Sequence, residues 1–275
     1  MLYLACDKKN IQHTISLINE DLSNINEWLS YSKLSLNAKK SKAMLISSRF
    51  LDTSDFHIKI KDTEIDFVRS IKYLGVPIDS TLSFNEYHQS VISKLNSQFY
   101  VLKRCIHKMN YASKQLFVKS IVFPCFNFCS TVLFLLTDGQ IDSLQKVMNR
   151  FMRLILIAHY RTPRQRMLDQ LGWLSVKQLI MYNTLIFLHK SSIGATPYYL
   201  ASQMVLRGQT QRLGTRSANE YREKPYTKQI AQNSLFYKGI QMFNQFRNFM
   251  KSQKESQKSI KSLAIDYVKL SFPLS

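Results

Sequence analysis

The sequence predicts an α+β, predominantly helical chain: a small antiparallel sheet near the start, then a helical bundle. Three observations predict this. Between Phe56 and Phe67, apolar residues alternate with polar ones around a Lys61-Asp62 turn, the period-two signature of paired, half-buried strands. From Ser83 onward, apolar residues recur every three or four positions, as on the buried stripe of a helix. A chain of 275 residues with 45% apolar content has the material for a sizeable core.

The first element is a helix over residues 8–32, with Asp7 in the capping position. Ile11, Ile15, Ile18, Leu22, Ile25 and Leu29 form its apolar stripe, and Glu20, Asp21 and Glu27 lie mostly off it. A strand over residues 42–48 follows. Phe56, Ile58 and Ile60 lie on the next strand, and Ile65 and Phe67 begin its return. Residues 71–76 are a third strand, ended by Pro77. Ser83-Phe84-Asn85-Glu86 reads as a capping box opening a helix whose apolar face holds Val91, Leu95, Phe99, Leu102, Ile106 and Met109.

A second bundle helix starts near Ser113 and kinks near Pro124. The third spans residues 140–158, with Leu144, Val147, Phe151, Leu154 and Ile155 inward and Arg150 and Arg153 flanking them. The fourth, residues 176–190, follows Ser175 as its cap. Residues 194–232 read as an irregular basic connection, punctuated by Pro197, Gly208, Gly214 and Pro225 and carrying Arg207, Arg212, Arg216 and Arg222. An amphipathic helix over 234–250 carries Phe236, Ile240, Phe243 and Phe246. Residues 251–261 form a poorly ordered Lys/Ser/Gln-rich tail, and Ile260, Leu263, Ala264 and Tyr267 mark a short final helix. Trp28 and Trp173 read as core anchors.

Lys plus Arg number 38 against 18 Asp plus Glu, a formal charge of +20. Such a charge creates a field that recruits polyanions, nucleic acid foremost. The excess concentrates in residues 150–250, which hold fifteen basic and three acidic residues. Cys6, Cys105, Cys125 and Cys129 are too few and too scattered for a disulfide framework, which fits a reducing, intracellular compartment, nuclear or cytoplasmic. Cys125 and Cys129 lack a neighbouring His or second Cys pair, so they read as buried thiols rather than zinc ligands. The N-terminal residues lack the basic region and cleavage site of a secretory signal. The apolar run 121–136 is short for a membrane span and contains Pro124 and Asn127, which favours a kinked core helix and no membrane.

Several motifs in order point to a family. Met1-Leu2-Tyr3-Leu4-Ala5-Cys6 precedes the helix bearing Glu20-Asp21-Leu22 and Ile25-Asn26-Glu27-Trp28-Leu29. Leu36-Asn37-Ala38-Lys39-Lys40-Ser41-Lys42 follows, then Ile71-Lys72-Tyr73-Leu74-Gly75-Val76. That order resembles the end of the palm in reverse transcriptases of LINE-type (non-LTR) retrotransposons. Leu144-Gln145-Lys146 with Arg150 and Arg153 resembles the family's thumb-side helix. Leu171-Gly172-Trp173-Leu174 and Pro197-Tyr198-Tyr199-Leu200 resemble its later punctuation. The match is strong over residues 1–80 and looser beyond. The family's paired aspartates and terminal Cys/His knuckle are absent from this sequence.

The resemblance implies a chain truncated just after the catalytic Tyr-x-Asp-Asp hairpin. Residues 1–80 would be a palm remnant, 81–192 a thumb-like region and 193–275 a basic C-terminal region. Its implied role is to contribute template-primer binding within an RNA-directed DNA polymerase. Its partners would be RNA template, DNA primer, and the palm, fingers and endonuclease of the parent polyprotein. The intact enzyme would use Mg²⁺ and dNTPs, whereas this chain is expected to hold no cofactor or metal. Lys40 matches the family's phosphate-side lysine, and Tyr73, Leu74 and Gly75 match its primer-grip-like hairpin. From the residues alone, Lys40 is first a solvated member of a lysine run, and Tyr73 to Gly75 an ordinary strand end. Arg150, Arg153, Arg161, Arg164 and Arg166, set among Phe151 and Tyr160, are the candidate nucleic-acid-binding residues, because arginine forks grip phosphate and rings stack on bases. The alternatives are a stand-alone basic RNA- or DNA-binding relic without enzymatic activity, and a helical protein held on an anionic membrane.

Overall fold

The computed structural model describes residues 2–6, 10–47, 51–210, 217–226, 229–253 and 258–273. These residues form an α+β, predominantly helical fold with two small antiparallel sheets. The chain divides into two compact units, Met1–Tyr87 and His88–Ser275.

In the first unit, α1 (Ile11–Tyr31) docks on β1 (Ile58–Ile60), which pairs through the Lys61-Asp62 turn with β2 (Thr63–Ile65). Ile11, Ile15, Ile58, Ile60 and Ile65 make the core, with Ile18, Leu22, Leu36, Ala38 and Phe67 packed around it. Asn19 fixes the docking. Its Nδ2 donates to the His57 carbonyl at 3.1 Å, and its Oδ1 accepts the Lys59 N–H at 3.0 Å. One side chain thus satisfies backbone groups on both sides of Ile58.

The predicted stripe is buried only in its first half. A three-residue strand is ~10 Å long and cannot cover a 21-residue helix of ~30 Å. Ile25 is therefore 37% exposed and Trp28 64% exposed, so Trp28 is no core anchor. The proposed cap, Asp7, lies outside the described residues.

Residues 42–47 do not form the predicted strand. Ala43 makes an isolated bridge with Phe67, accepting from Val68 N–H at 2.9 Å and donating to the Asp66 carbonyl at 3.1 Å. Ser48, at the end of that predicted strand, lies outside the described residues. Phe67 consequently turns towards Ala43 and β2 stops at Ile65. The single strand predicted over 71–76 is a hairpin, β3 (Ser70–Tyr73) and β4 (Val76–Asp79). Pro77 sits inside β4 opposite Lys72 rather than ending a strand. In a two-stranded ladder both strands are edges, so its missing N–H is tolerated.

The second unit starts in the first turn of α2 (Asn85–Cys105), whose Val91, Leu95, Phe99 and Leu102 are buried as predicted. Asn110 caps α3 (Tyr111–Phe117), accepting from Ser113 N–H at 2.8 Å. A π turn, Val118–Val122, leads into α4 (Phe123–Asn127), with Pro124 in its opening turn. Proline fits there, where its missing N–H costs least, and the widened turn before it absorbs the broken ladder. The apolar run 121–136 is thus broken rather than one kinked helix, because Phe128 is extended and Cys129 left-handed (φ 49°) before α5 (Ser130–Leu133).

α6 (Asp138–Leu156) starts before the predicted Gln140, because Thr137 forms a reciprocal box with it. Gln140 N–H donates to Thr137 Oγ1 at 3.3 Å, and Thr137 N–H to Gln140 Oε1 at 2.9 Å. α7 (Arg164–Leu171), not predicted, ends on left-handed Gly172 (φ 65°), which aims Trp173 edge-on at Phe123, 5.1 Å between centroids. Ser175 caps α8 (Val176–Ser192) as predicted.

Short helices α9 (Tyr198–Ala201), α10 (Arg207–Thr210) and α11 (Gln229–Gln232) connect to α12 (Ile240–Ser252) and α13 (Ile260–Ser271), which both pack on α8. The segment predicted as irregular is tied down: Leu206 bridges Tyr221, and Arg207 pairs with Glu220 at 2.9 Å and Glu223 at 2.6 Å. Arg212, Gly214, Arg216 and residues 254–257 of the predicted tail lie outside the described residues. No single described helix is long and apolar enough to cross a membrane, and α7 with α8 meets that test only as a pair bent by 50°.

Two buried glutamines lock the bundle. Gln145 Oε1 on α6 accepts the Val176 N–H at 2.7 Å, and Gln178 Nε2 donates to the Phe272 carbonyl at 3.0 Å. Gln145→Leu leaves the Val176 donor buried and unpaired, so it should destabilise the second unit by about 1–3 kcal/mol. Urea titration reads this as a lower midpoint at unchanged slope. An unmoved midpoint would show that Gln145 holds nothing.

Candidate nucleic-acid interface

The lysine motif folds into a tight 3₁₀ turn, Ala38–Lys40, because Asn37 Oδ1 accepts the Lys40 N–H at 3.1 Å. Leu36 and Ala38 face the core, which leaves Lys39 and Lys40 exposed. Lys42 differs, since its Nζ lies 2.7 Å from Asp66 Oδ2 and holds that carboxyl below its usual range. Both partners are largely exposed, so the pair stabilises little. Lys40 has no side-chain partner among the described residues, and its ammonium is available to a phosphate.

Tyr73, Leu74 and Gly75 occupy the tip of the β3–β4 hairpin. Leu74 (φ 47°) and Gly75 (φ 89°) are the two central residues of the loop, both left-handed, as a type I′ turn requires. Gly75 suits that position; Leu74 takes it at a cost and projects its side chain 79% exposed. Tyr73 is 42% exposed beside it. The tip is therefore an accessible apolar and aromatic knob.

Asp79 anchors the hairpin's base. Its carboxylate accepts from Thr81 N–H and Oγ1 (3.1 and 2.6 Å), Ser83 N–H and Oγ (2.9 and 3.2 Å) and Phe84 N–H (2.8 Å). This displaces the predicted capping box: Ser83 N–H serves Asp79, and Glu86 accepts instead from the Ser70 hydroxyl at 2.5 Å. Burial pushes the Asp79 carboxyl up, but the hydrogen bonds from Thr81, Ser83 and Phe84 outweigh it and the net shift is down. A carboxylate with a lowered folded pKa stabilises fully above its unfolded value and loses that contribution as pH falls through the folded one.

The five arginines divide by environment. Arg150 Nη1 donates to Asn96 Oδ1 at 2.7 Å, and its guanidinium lies 4.1 Å over the Phe99 ring. It clamps α6 to α2, a structural role beside the nucleic-acid contact that the sequence suggested for it. Arg153 is half-buried, with its Nε enclosed and unpaired among the described residues. Arg161 and Arg166 are exposed and Arg164 half-exposed, all in the α6–α7 connection or on α7. Sequence spacing missed Asn96, because a hydrogen-bond partner on another helix leaves no local signal.

Cys125 is buried in α4, and burial pushes the Cys129 thiol up, as inert thiols require. Cys6 and Cys105 are exposed. Among the described residues no three His, Cys, Asp or Glu side chains group to hold a metal ion. Comparison with known proteins finds no matching family model, no similar curated protein and no similar solved structure.

Two outcomes follow. Arg150→Ala should lower stability by about 1–2 kcal/mol, while Arg166→Ala stays within about 0.5 kcal/mol; thermal melting of both variants separates the engaged arginine from the solvent-facing one. Asp79→Asn should cost about 1 kcal/mol at neutral pH, the solvated carboxylate limiting the loss. It should also flatten the fall in stability that the parent chain shows as pH drops below about 4. Parallel acid limbs for the two proteins would rule out an ionised anchor at Asp79.

Proposed function

We propose that the chain is the C-terminal part of a LINE-type reverse transcriptase and holds RNA template and DNA primer for a catalytic centre carried elsewhere in the parent protein. One observation carries the reading. The two motifs of the resemblance, the lysine turn and the Tyr73-Leu74-Gly75 hairpin, both present accessible side chains from the same compact unit. Lys40 would neutralise phosphate charge there, as a mobile point charge suits. The hairpin tip would lean on the primer end. The net charge of +20 supplies the long-range attraction.

Mg²⁺ belongs to the intact polymerase in this reading. Two-metal phosphoryl transfer needs carboxylates converging on both ions. The sequence contains no adjacent aspartate pair to supply them, so in this reading the chain's share is binding and orientation. The same observation favours a second reading, a stand-alone nucleic-acid-binding relic, which differs in showing no preference for an RNA–DNA hybrid over other duplexes.

The purified chain should bind an RNA–DNA hybrid with a log–log salt slope of about −3 or steeper, as several phosphate contacts demand. A flat slope would defeat the electrostatic reading. Mg²⁺-dependent primer extension by this chain would overturn the binding-only role, and equal affinity for hybrid and double-stranded DNA would favour the relic.

A further inference from the structure

The connection between α6 and α7 is built in a way that bulk charge does not explain. α6 ends on Ile157, a β-branched residue in left-handed conformation (φ 52°, ψ 38°), where glycine is the ordinary choice. Its side chain is 85% exposed. The left-handed turn ends the helix, with the N–H groups of Ile157 and Ala158 both directed at the Arg153 carbonyl, the latter at 3.0 Å, and it leaves the Ile157 side chain beside the following turn. The next residues form a β-turn, closed by Thr162 N–H to the His159 carbonyl at 3.0 Å, with Tyr160 and Arg161 at its corners.

The turn's side chains are ordered among themselves. The His159 and Tyr160 rings lie 4.4 Å apart, tilted by 44°. Arg161 N–H donates to His159 Nδ1 at 3.3 Å, and Arg161 Nε donates to the Tyr160 hydroxyl at 2.7 Å. The guanidinium sits 5.3 Å from the Tyr160 ring centroid. Yet Tyr160 is 65% exposed, and His159 and Arg161 are exposed too. Arg164 and Arg166 stand on the following helix, and no acidic residue occurs between Asp142 and Asp169. An exposed aromatic pair, hydrogen-bonded to an arginine and flanked by more arginines, offers a stacking surface beside cationic groups suited to phosphate.

We infer that residues 157–161 form a platform for an unpaired base of a single-stranded nucleic acid. A duplex hides its base faces, whereas a single strand offers one per nucleotide to a ring that is already fixed. Arg161, with Arg164 and Arg166, grips the adjoining phosphates. This inference rests on the nucleic-acid reading above and deepens it: the platform takes the single-stranded overhang, not the hybrid.

The test uses the full chain, a fluorescein-labelled oligouridylate and a blunt RNA–DNA hybrid, read by anisotropy at fixed salt. Tyr160→Ala should weaken oligouridylate binding by about tenfold and leave the hybrid within about twofold. Tyr160→Phe keeps the ring and should retain most of the affinity. Cross-linking of 5-iodouridine-substituted oligouridylate to the unmutated chain should map by mass spectrometry to the peptide holding His159 and Tyr160, a readout independent of any variant's folding. Hybrid binding with oligouridylate affinity unchanged in Tyr160→Ala, or lowered equally for both ligands, overturns the platform and leaves the proposed function standing. Binding of neither nucleic acid, or of anionic phosphatidylserine vesicles alone, overturns both.

Discussion

The second unit depends on one constraint: α8 is covered on every side. No residue from Val176 to His189 stands fully in solvent, and Ile180, Thr184, Leu185 and Leu188 are wholly enclosed. Its apolar residues are spread around the whole circumference rather than gathered on one stripe, so a single neighbour cannot bury them. The helix recruits α4, α5, α6, α12 and α13 as its cover, and this draws the basic C-terminal segment into the bundle. Burial also imposes polar requirements. Thr184 returns its hydroxyl to the Ile180 carbonyl, and Ser191 to Phe187. Gln145 and Gln178 satisfy groups at the helix start and at the end of α13. Partial burial pushes the His189 imidazole below its ordinary pKa.

The first unit is built on the opposite principle, a small core with polar clamps. Five isoleucines alone bury little area, and units of this size are marginal when hydrophobic burial acts alone. Asn19 and Asp79 add geometry rather than area, each collecting several backbone donors or acceptors into one side chain. The unit consequently keeps a long apolar flank in water: Ile25, Trp28, Tyr31 and Leu34 are all exposed.

Much of this was legible in the sequence, for reasons that separate local from non-local physics. The period of α2 and α6, the Ser175 cap and the Lys61-Asp62 turn are encoded within a few residues, and all are found. The 3₁₀ lysine turn was legible as a motif but not as a conformation. What failed was decided elsewhere in the chain. Residues 42–47 have strand-like composition, yet pair through an isolated bridge, Ala43 with Phe67, and a Ser47 N–H to the Ser80 carbonyl rather than through a continuous ladder. Leu74 in a left-handed turn defies its own propensity, because the β3–β4 register needs two positive φ values there. Trp28 lies outside the core because β1 is too short to reach it. Arg150 looks identical in sequence to Arg166, and only the fold supplies Asn96 and Phe99 beneath it.

That last pair shows how charge should be counted in a basic protein. A formal +20 weighs every cation equally, and at long range it should, since the field sums over all of them. Contact is different. Arg150 and Arg247 are committed to amide oxygens and ring faces within the fold, and Arg207 to two carboxylates. Each thus has part of its guanidinium engaged within the fold while its charge still adds to the field. At physiological ionic strength the field decays over ~8 Å, so docking is settled by groups that touch the ligand. On the proposed function those are Arg161, which follows His159 and Tyr160 in the α6–α7 connection, and Arg166 on α7, all of them exposed. Under the proposed function, attraction and recognition would therefore reside in different residues, and a change that abolishes one should leave the other largely intact.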